Sequence, residues 1–268
     1  MTAMSTVDVA ALAALDDHRL ARALADAAGA VLLELRSGGD SDPVGLRADG
    51  DRQSHLFLMD QLAAVRPDDA VLSEEGKDDP VRLTADRVWI IDPLDGTREF
   101  GEVPRDDWAV HVALWERGDL VAGAVARPAR GTTLATDHAW ALPGDAVRPS
   151  GPLRLAVSRS RPPAFVTRLA ERLDAELVPM GSAGIKATAV VDGAVDAYVH
   201  AGGQYEWDSA APVAVARAAG LHTSRIDGSR LEYNREDPLL PDLLICRPEV
   251  ADHLLAAIRE LTNEGTTT

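Results

Sequence analysis

The segment Ile90-Ile91-Asp92-Pro93-Leu94-Asp95-Gly96-Thr97 places two aspartates three positions apart directly after an apolar run. Proline fixes one φ angle and Gly96 relaxes the next position. A turn built this way can aim both carboxylates and the Leu94 carbonyl at one point, and hard divalent cations take such oxygen ligands. The other reading is an ordinary aspartate-rich turn with a capping side chain, and a bare Asp-x-x-Asp does not decide between them. Three more acidic groups bear on the choice. Ser73-Glu74-Glu75 follows an apolar stretch, while Glu206-Trp207-Asp208 and Asp49-Gly50-Asp51 stand at predicted helix starts. Each of the last two could be only a cap. All four sets together are harder to explain by capping than by a shared metal site.

The elements that must position these groups can be read from periodicity. Leu20, Leu24, Ala27, Val31 and Leu35 recur at helical steps, which predicts an amphipathic helix over about Thr6–Leu35, broken by Gly38, Gly39, Asp40 and Pro43. A second helix is predicted from Asp51 to Val65. Ala70–Leu72 and Val88–Ile91 read as buried strands, each followed by acids, and strand ends are where α/β proteins place binding sites. Trp108–Trp115, Leu120–Ala126 and Thr132–Thr136 read as an antiparallel meander joined by turns at Arg117-Gly118-Asp119 and Pro128-Ala129-Arg130-Gly131. The Pro/Gly-rich stretch Leu142–Pro152 reads as a link between two halves, residues 1–148 and 149–268. The second half alternates: strand Leu153–Val157, helix Pro162–Leu173, strand Leu177-Val178, helix Ser182–Val191, strand Val195–Val199, helix Asp208–Ala219 with Pro212 in its first turn, strand Leu243–Cys246 and helix Val250–Leu261.

Composition narrows the function. The chain has 268 residues, 46% hydrophobic, enough for one large domain or two half-domains sharing a core. Its net charge of -16 argues against broad nucleic-acid or anionic-membrane binding, although metals or local cations can still recruit a phosphorylated small molecule. The single cysteine, Cys246, excludes an intrachain disulfide and lies in an apolar run, as a core thiol would. Met1–Val9 has neither a basic nor an apolar leader segment, and no apolar run reaches the roughly 18 residues of a membrane span. A cytoplasmic location is expected.

Substrate-contacting residues are less sharply marked. Ser182 and Lys186 share a helical face near a helix start, where anions are favoured, though a surface lysine reads equally well. Ser158-Arg159-Ser160 follows a strand and reads either as a phosphate site or as a basic loop with Arg161. Tyr233 reads as an adenine contact or as core. His111, alternating with apolar residues, reads as structural.

Glu74-Glu75, Trp89–Thr97, Gly181-Ser182-Ala183-Gly184 and Trp207-Asp208-Ser209-Ala210-Ala211 occur in an order and spacing that resemble the inositol monophosphatase superfamily of Mg²⁺-dependent, lithium-sensitive phosphatases. The likeness spans nearly the whole chain. Within it, Asp49-Gly50-Asp51-Arg52-Gln53, Arg105–His111, Val157-Ser158-Arg159-Ser160, Gly202–Asp208 and Tyr233-Asn234 resemble the CysQ-type 3′(2′),5′-bisphosphate nucleotidases of actinobacteria. Ala48-Asp49-Gly50-Asp51 departs from the simpler inositol phosphatase pattern, which carries a threonine there.

The resemblance implies a layered αβαβα sandwich of the inositol monophosphatase and fructose-1,6-bisphosphatase type, with two and up to three Mg²⁺ and inhibition by Li⁺. It implies that Glu75, Asp92 and the Leu94 carbonyl hold one metal, and that Asp95 and Asp208 hold a second with Asp92 bridging. Thr97 with Asp51 or Glu75 would take the water's proton, Asp51 being favoured. Gly96 and Thr97 would bind the phosphate, and Ser158, Arg159, Ser160, Ser182, Lys186, Tyr233 and Asp208 the rest of the substrate. The implied reaction removes the 3′-phosphate of 3′-phosphoadenosine 5′-phosphate. A broader inositol-1-phosphate or fructose-1,6-bisphosphate phosphatase is the alternative, and a non-catalytic metal- and nucleotide-binding regulator the third reading. No nucleic-acid or membrane partner is expected, and assembly as a monomer or a homodimer stays open.

Overall fold

The structure is a computed structural model and describes residues 8–38, 42–138 and 151–265. Residues 1–7, including the start of the first predicted helix, and most of the Leu142–Pro152 link lie outside the described residues. The first predicted helix divides into α1 (Val9–Ala13) and α2 (Asp17–Ser37). The break arises because Asp16 leaves the helix to cap α2, its carboxylate accepting from Arg19 N at 2.9 Å. Leu20, Leu24, Ala28 and Leu32, four apart along α2, are fully buried, each leucine contributing about 1.5–3 kcal/mol of apolar transfer.

The next helix, α3 (Pro43–Val65), starts well before the predicted Asp51. Pro43 suits a first turn that needs no N–H, and Asp42 Oδ1 accepts from Val44 N and Gly45 N at 2.8 Å each. Asp51 is therefore mid-helix and caps nothing. Gly50 stands inside α3 because only glycine fits there: a Cβ would sit 2.8 Å from Leu94 and from Phe100.

Strands β1 (Ala70–Ser73), β2 (Arg87–Asp95), β3 (Ala109–Glu116), β4 (Asp119–Arg127) and β5 (Thr132–Ala135) form one sheet in sequence order, with only the β1–β2 pair parallel. A one-turn helix, α4 (Thr97–Phe100), leaves β2. The second sheet contains β6 (Arg154–Ser158), β7 (Glu176–Met180), β8 (Ala197–Tyr205), β9 (His222–Ser224) and β10 (Leu239–Cys246) in the order β7-β6-β8-β10-β9. The short β9 has no counterpart among the predicted strands. Helices α5 (Ala164–Leu173), α6 (Ala183–Val191), α7 (Glu206–Ala218) and α8 (Pro248–Gly265) complete the chain. Pro212 is interior to α7, not in its first turn, because the helix opens two residues before the predicted Asp208. Its missing N–H leaves the Asp208 carbonyl without the usual helical donor.

The layers follow from which faces are apolar. α1, α2 and α3 cover one face of the first sheet, α6 and α7 fill the space between the sheets, and α5 and α8 cover the outer face of the second. This is the αβαβα order the resemblance implies. The central layer is almost wholly apolar or small, with Ile185, Ala187, Ala210, Val213 and Val215 buried between two sheets. Its polar exceptions gather at the N-terminal ends of α6 and α7, where the acidic groups meet.

Candidate active site

The strand-to-turn geometry at β2 explains how two aspartates three apart reach one point. On a regular strand such residues face opposite sides of the sheet. Here Asp92 pairs with His111 and Asp95 with Ala109, so β2 carries one extra residue between them. This bulge, at a proline that cannot donate to the ladder, turns both side chains the same way. Leu94 N donates to Asp92 Oδ1 at 3.0 Å, and Ser54 on α3 donates to the Pro93 carbonyl at 2.7 Å. Gly96 then adopts φ +88°, where a Cβ would lie 3.2 Å from Ser182 and 3.3 Å from the Asp107 carbonyl. The start of α7 supplies the third carboxylate. Ligand oxygens of Asp92, Asp95 and Asp208 all lie within 4.8 Å of one another, and Tyr205 N donates to Asp208 Oδ2 at 2.6 Å, fixing its orientation.

The acid joining this cluster from the end of β1 is Glu74. Its side chain hydrogen-bonds Asp92, and the pair faces Asp95 and Asp208. Glu75, the expected ligand, acts on its surroundings only as a nearby charge, toward Asp51, His55 and Glu74. Both glutamates lie in the turn that follows β1, and it is Glu74 that this turn sets against Asp92. Burial raises the Glu74 carboxyl to about 7, with Asp208 adding to it. Asp92 is pushed well up, first by burial and then by Glu74. Burial, then Asp95, lifts Asp208 to about 6.

Asp95 sits in the opposite electrostatic setting. Burial alone would raise it, yet it is held below the usual carboxylate range by His111, Lys186 and Ser182. Ser182 Oγ donates to Asp95 Oδ2. Ala183 N and Gly184 N, the opening amides of α6, donate at 3.0 and 2.7 Å. His111 Nε2 is 3.2 Å away in an ion-pair contact without hydrogen-bond alignment. His111 Nδ1 lies 3.1 Å from the Trp207 carbonyl, which only an N–H can satisfy. Both ring nitrogens face acceptors, and against the lowering effect of burial Asp95 raises the His111 pKa. The close approach requires Gly184, whose Cβ would fall 2.1 Å from His111 Nε2. The apolar neighbours of His111 in sequence suggest a structural residue; the signal that it joins the site is its register partner, Asp92.

Thr97 Oγ1 lies 3.0 Å from Asp51 Oδ1 and 3.1 Å from the Leu94 carbonyl, so one hydroxyl hydrogen is shared between two acceptors. Asp51 reaches Thr97 from mid-α3, and burial raises its carboxyl to about 6 although the Thr97 bond pulls it down.

Other expected substrate groups are engaged elsewhere. Lys186 Nζ donates to the Gly181 and Ser182 carbonyls at 3.0 and 2.6 Å and lies 5.3 Å from the Tyr198 ring centroid. Its ammonium is buried beneath the turn and does not project toward solvent as a substrate group would. Ser182 spends its hydroxyl on Asp95. Arg159 bridges Glu99 and Glu102 at 2.6 Å each, tying β6 to α4, because two acids within reach outcompete an open loop. Ser158 Oγ accepts from Arg161 N, and Ser160 is exposed beside it. Tyr233 is core: its ring is buried and its hydroxyl pairs with Ser209 at 3.2 Å, so no face is open to an adenine. Glu206 accepts from Asn234 N and Arg235 N, so it braces a loop and leaves Asp208 to the cluster. Cys246 is buried, which pushes its thiol up to about 12, consistent with an inert core residue.

Residues 17–263 match the inositol monophosphatase family. The chain belongs to this family. It is 55% identical over 240 residues to a 3′-phosphoadenosine 5′-phosphate phosphatase of Mycobacterium tuberculosis, covering 87% of this chain and 90% of that protein. It is 32% identical over 219 residues to the 3′(2′),5′-bisphosphate nucleotidase CysQ of Escherichia coli K12, covering 78% and 86%. Among solved structures, an IMPase of Thermotoga maritima superposes with TM-score 0.74 at 21% identity over 93% of this chain and 99% of that one, a likeness of fold. Membership of the inositol monophosphatase family makes the chain a metal-dependent phosphatase, and no described helix is long and apolar enough to cross a membrane.

The donor set fits divalent metals on its own chemistry. Four carboxylates converge in a buried space, and burial with mutual repulsion raises three of them above the usual carboxylate range, a cost that a bound cation would relieve. All-oxygen donors select hard cations such as Mg²⁺.

Proposed function

We propose that the protein is a Mg²⁺-dependent phosphomonoesterase that removes the 3′-phosphate of 3′-phosphoadenosine 5′-phosphate, giving AMP and phosphate. The observation that carries the reading is the convergence of Asp92, Asp95 and Asp208 with Glu74, in a chain 55% identical to a relative of that name. Glu74, Asp92 and the Leu94 carbonyl are assigned to one cation, and Asp95, Asp208 and Asp92 to another. Bound there, the cations would neutralise the phosphate dianion and lower the pKa of a water nucleophile.

The chain's own groups do the remaining work. The Thr97 hydroxyl orients the attacking water and passes a proton to Asp51, whose carboxyl near 6 is ionised at neutral pH yet basic enough to accept it. Gly96 and Thr97 offer backbone N–H groups to the phosphate oxygens. His111, Lys186 and the α6 amides keep Asp95 ionised and fixed in place. Arg159 and Ser158-Ser160 reach the second phosphate only if Arg159 releases one of its two glutamates, which the dianion's charge would favour.

The test is phosphate release with Mg²⁺ from adenosine 3′,5′-bisphosphate, inositol 1-phosphate and fructose 1,6-bisphosphate. The nucleotide should give the highest kcat/KM; a clear preference for either sugar phosphate would replace the reading with the broader phosphatase. Turnover well above background in the parent, abolished in Asp95→Asn, excludes a non-catalytic regulator. Millimolar Li⁺ should inhibit, and unchanged activity would count against the assignment.

A further inference from the structure

We infer that Tyr205 is the platform on which the substrate's purine base stacks, which makes it a specificity-determining residue. The inference rests on the nucleotidase reading above. Among the described residues, ten large hydrophobics are exposed, and Tyr205 is the one aromatic among them, at 46%. Its ring is not loose. It stacks on Trp207 with centroids 4.7 Å apart and planes 9° from parallel, while Trp207 packs against the central core. One face of the tyrosine is thus backed by a fixed indole, and the ring is presented outward as a rigid surface of low entropy cost.

Its position ties this surface to the chemistry. Tyr205 is the residue whose backbone N–H orients Asp208, at 2.6 Å. The Trp207 carbonyl is 3.1 Å from His111, which in turn contacts Asp95. The aromatic pair therefore flanks the carboxylate cluster on its Asp208 side. A nucleotide with its 3′-phosphate at the cluster carries its base a short distance beyond, across the ribose. The ground around the ring suits a flat apolar group. Leu239, the register partner of Tyr205 on β10, is also exposed, at 48%. Gly202, just upstream, has φ +128° and open space where a side chain would stand. Tyr233, the other tyrosine near this end of the fold, offers no such face because it is buried against Ser209. Stacking accepts any base with a π-face, so the platform would favour nucleotides over sugar phosphates without reading the base edge.

The experiment compares Tyr205→Ala, Tyr205→Phe and the parent, with Mg²⁺, on adenosine 3′,5′-bisphosphate and on ribose bisphosphate lacking the base. The ratio of the two kcat/KM values should fall roughly 5- to 100-fold in Tyr205→Ala, mostly through KM, and return in Tyr205→Phe. An unchanged ratio in Tyr205→Ala, in a parent that prefers the nucleotide, overturns the platform and leaves the nucleotidase reading standing. A parent with no preference for the nucleotide overturns that reading, and the platform with it. An unchanged ratio accompanied by an altered sedimentation coefficient would identify the ring as a contact with a second copy of the chain.

Discussion

Asp92 and Asp95 are the same residue type, three positions apart at the end of one strand, yet the molecule treats them oppositely. Asp92 faces Glu74 and other acids and is driven toward protonation. Asp95 faces His111, the Lys186 ammonium, a hydroxyl and two helix amides and is held below the usual carboxylate range. Of the acids around Asp92, Glu74 follows β1 and Asp95 ends β2, while Asp208 comes from α7. The partners of Asp95, His111 apart, come from α6 in the layer between the sheets. Charge on the Asp92 side is left for a metal to balance, while the Asp95 side is balanced by the protein before any metal arrives.

The sharpest way to break this contrast is to neutralise each aspartate in turn. Asp92→Asn and Asp95→Asn should both lose more activity than the roughly 100-fold expected for residues that merely support a ligand. Their metal-free stabilities should diverge. Asp95→Asn removes the nearest counter-charge of His111 and weakens that of Lys186, and should cost about 3–5 kcal/mol. Asp92→Asn removes a repelled carboxyl and should raise the melting temperature by about 2–4 °C, on the order of 1 kcal/mol. Shifts of the same sign would remove the distinction.

Next in size is the proton acceptor. Thr97→Val and Asp51→Asn should each lower kcat by roughly 10²–10⁴-fold. In the parent, activity should fall as pH drops through about 6, since protonated Asp51 cannot accept a proton, and that limb should vanish from the residual activity of Asp51→Asn. Smaller effects separate the two glutamates. Glu74→Gln should raise the Mg²⁺ concentration for half-maximal activity by roughly 10–100-fold, with Glu75→Gln well below that; equal effects would restore Glu75 to the site.

The smallest expected effect is thermodynamic. Glu74 at about 7 and Asp208 at about 6 hold protons that the unfolded chain has already released. Their contribution to metal-free stability is therefore lost as pH rises through those values. His111, with its raised pKa, acts in the same direction, whereas His55, His200 and His222, held below their ordinary values, oppose it. Mg²⁺ isolates the cluster from these background groups, because it competes with the protons there. The rise in melting temperature on adding Mg²⁺ should be larger at pH 7.5 than at pH 5, and a pH-independent rise would mean the cluster is already ionised.

Local patterns carried much of the fold. The i, i+4 apolar spacing along α2, the Pro43–Val65 helix from Asp51 onward and the alternation in β3 are visible in sequence because each is decided by short-range periodicity. Starts and ends were less visible. Pro43 opens α3 and Pro212 sits inside α7, because a proline's local preference does not say which neighbouring residue will find a capping partner.

The sequence by itself determined the inventory: an Asp-Pro-Leu-Asp-Gly-Thr turn, a distant Trp-Asp at a helix start, and a family pattern with spacing to match. Tertiary structure alone decided which members meet. It set Glu74 against Asp92 in the turn after β1, and it drew His111 into the site by pairing β3 with a bulged β2. It also spent Lys186, Arg159 and Tyr233 on internal partners and left Tyr205 in the open. The reason is that spacing along a chain sets which way a side chain points, whereas burial and charge pairing depend on elements that approach only after the two sheets have closed on α6 and α7.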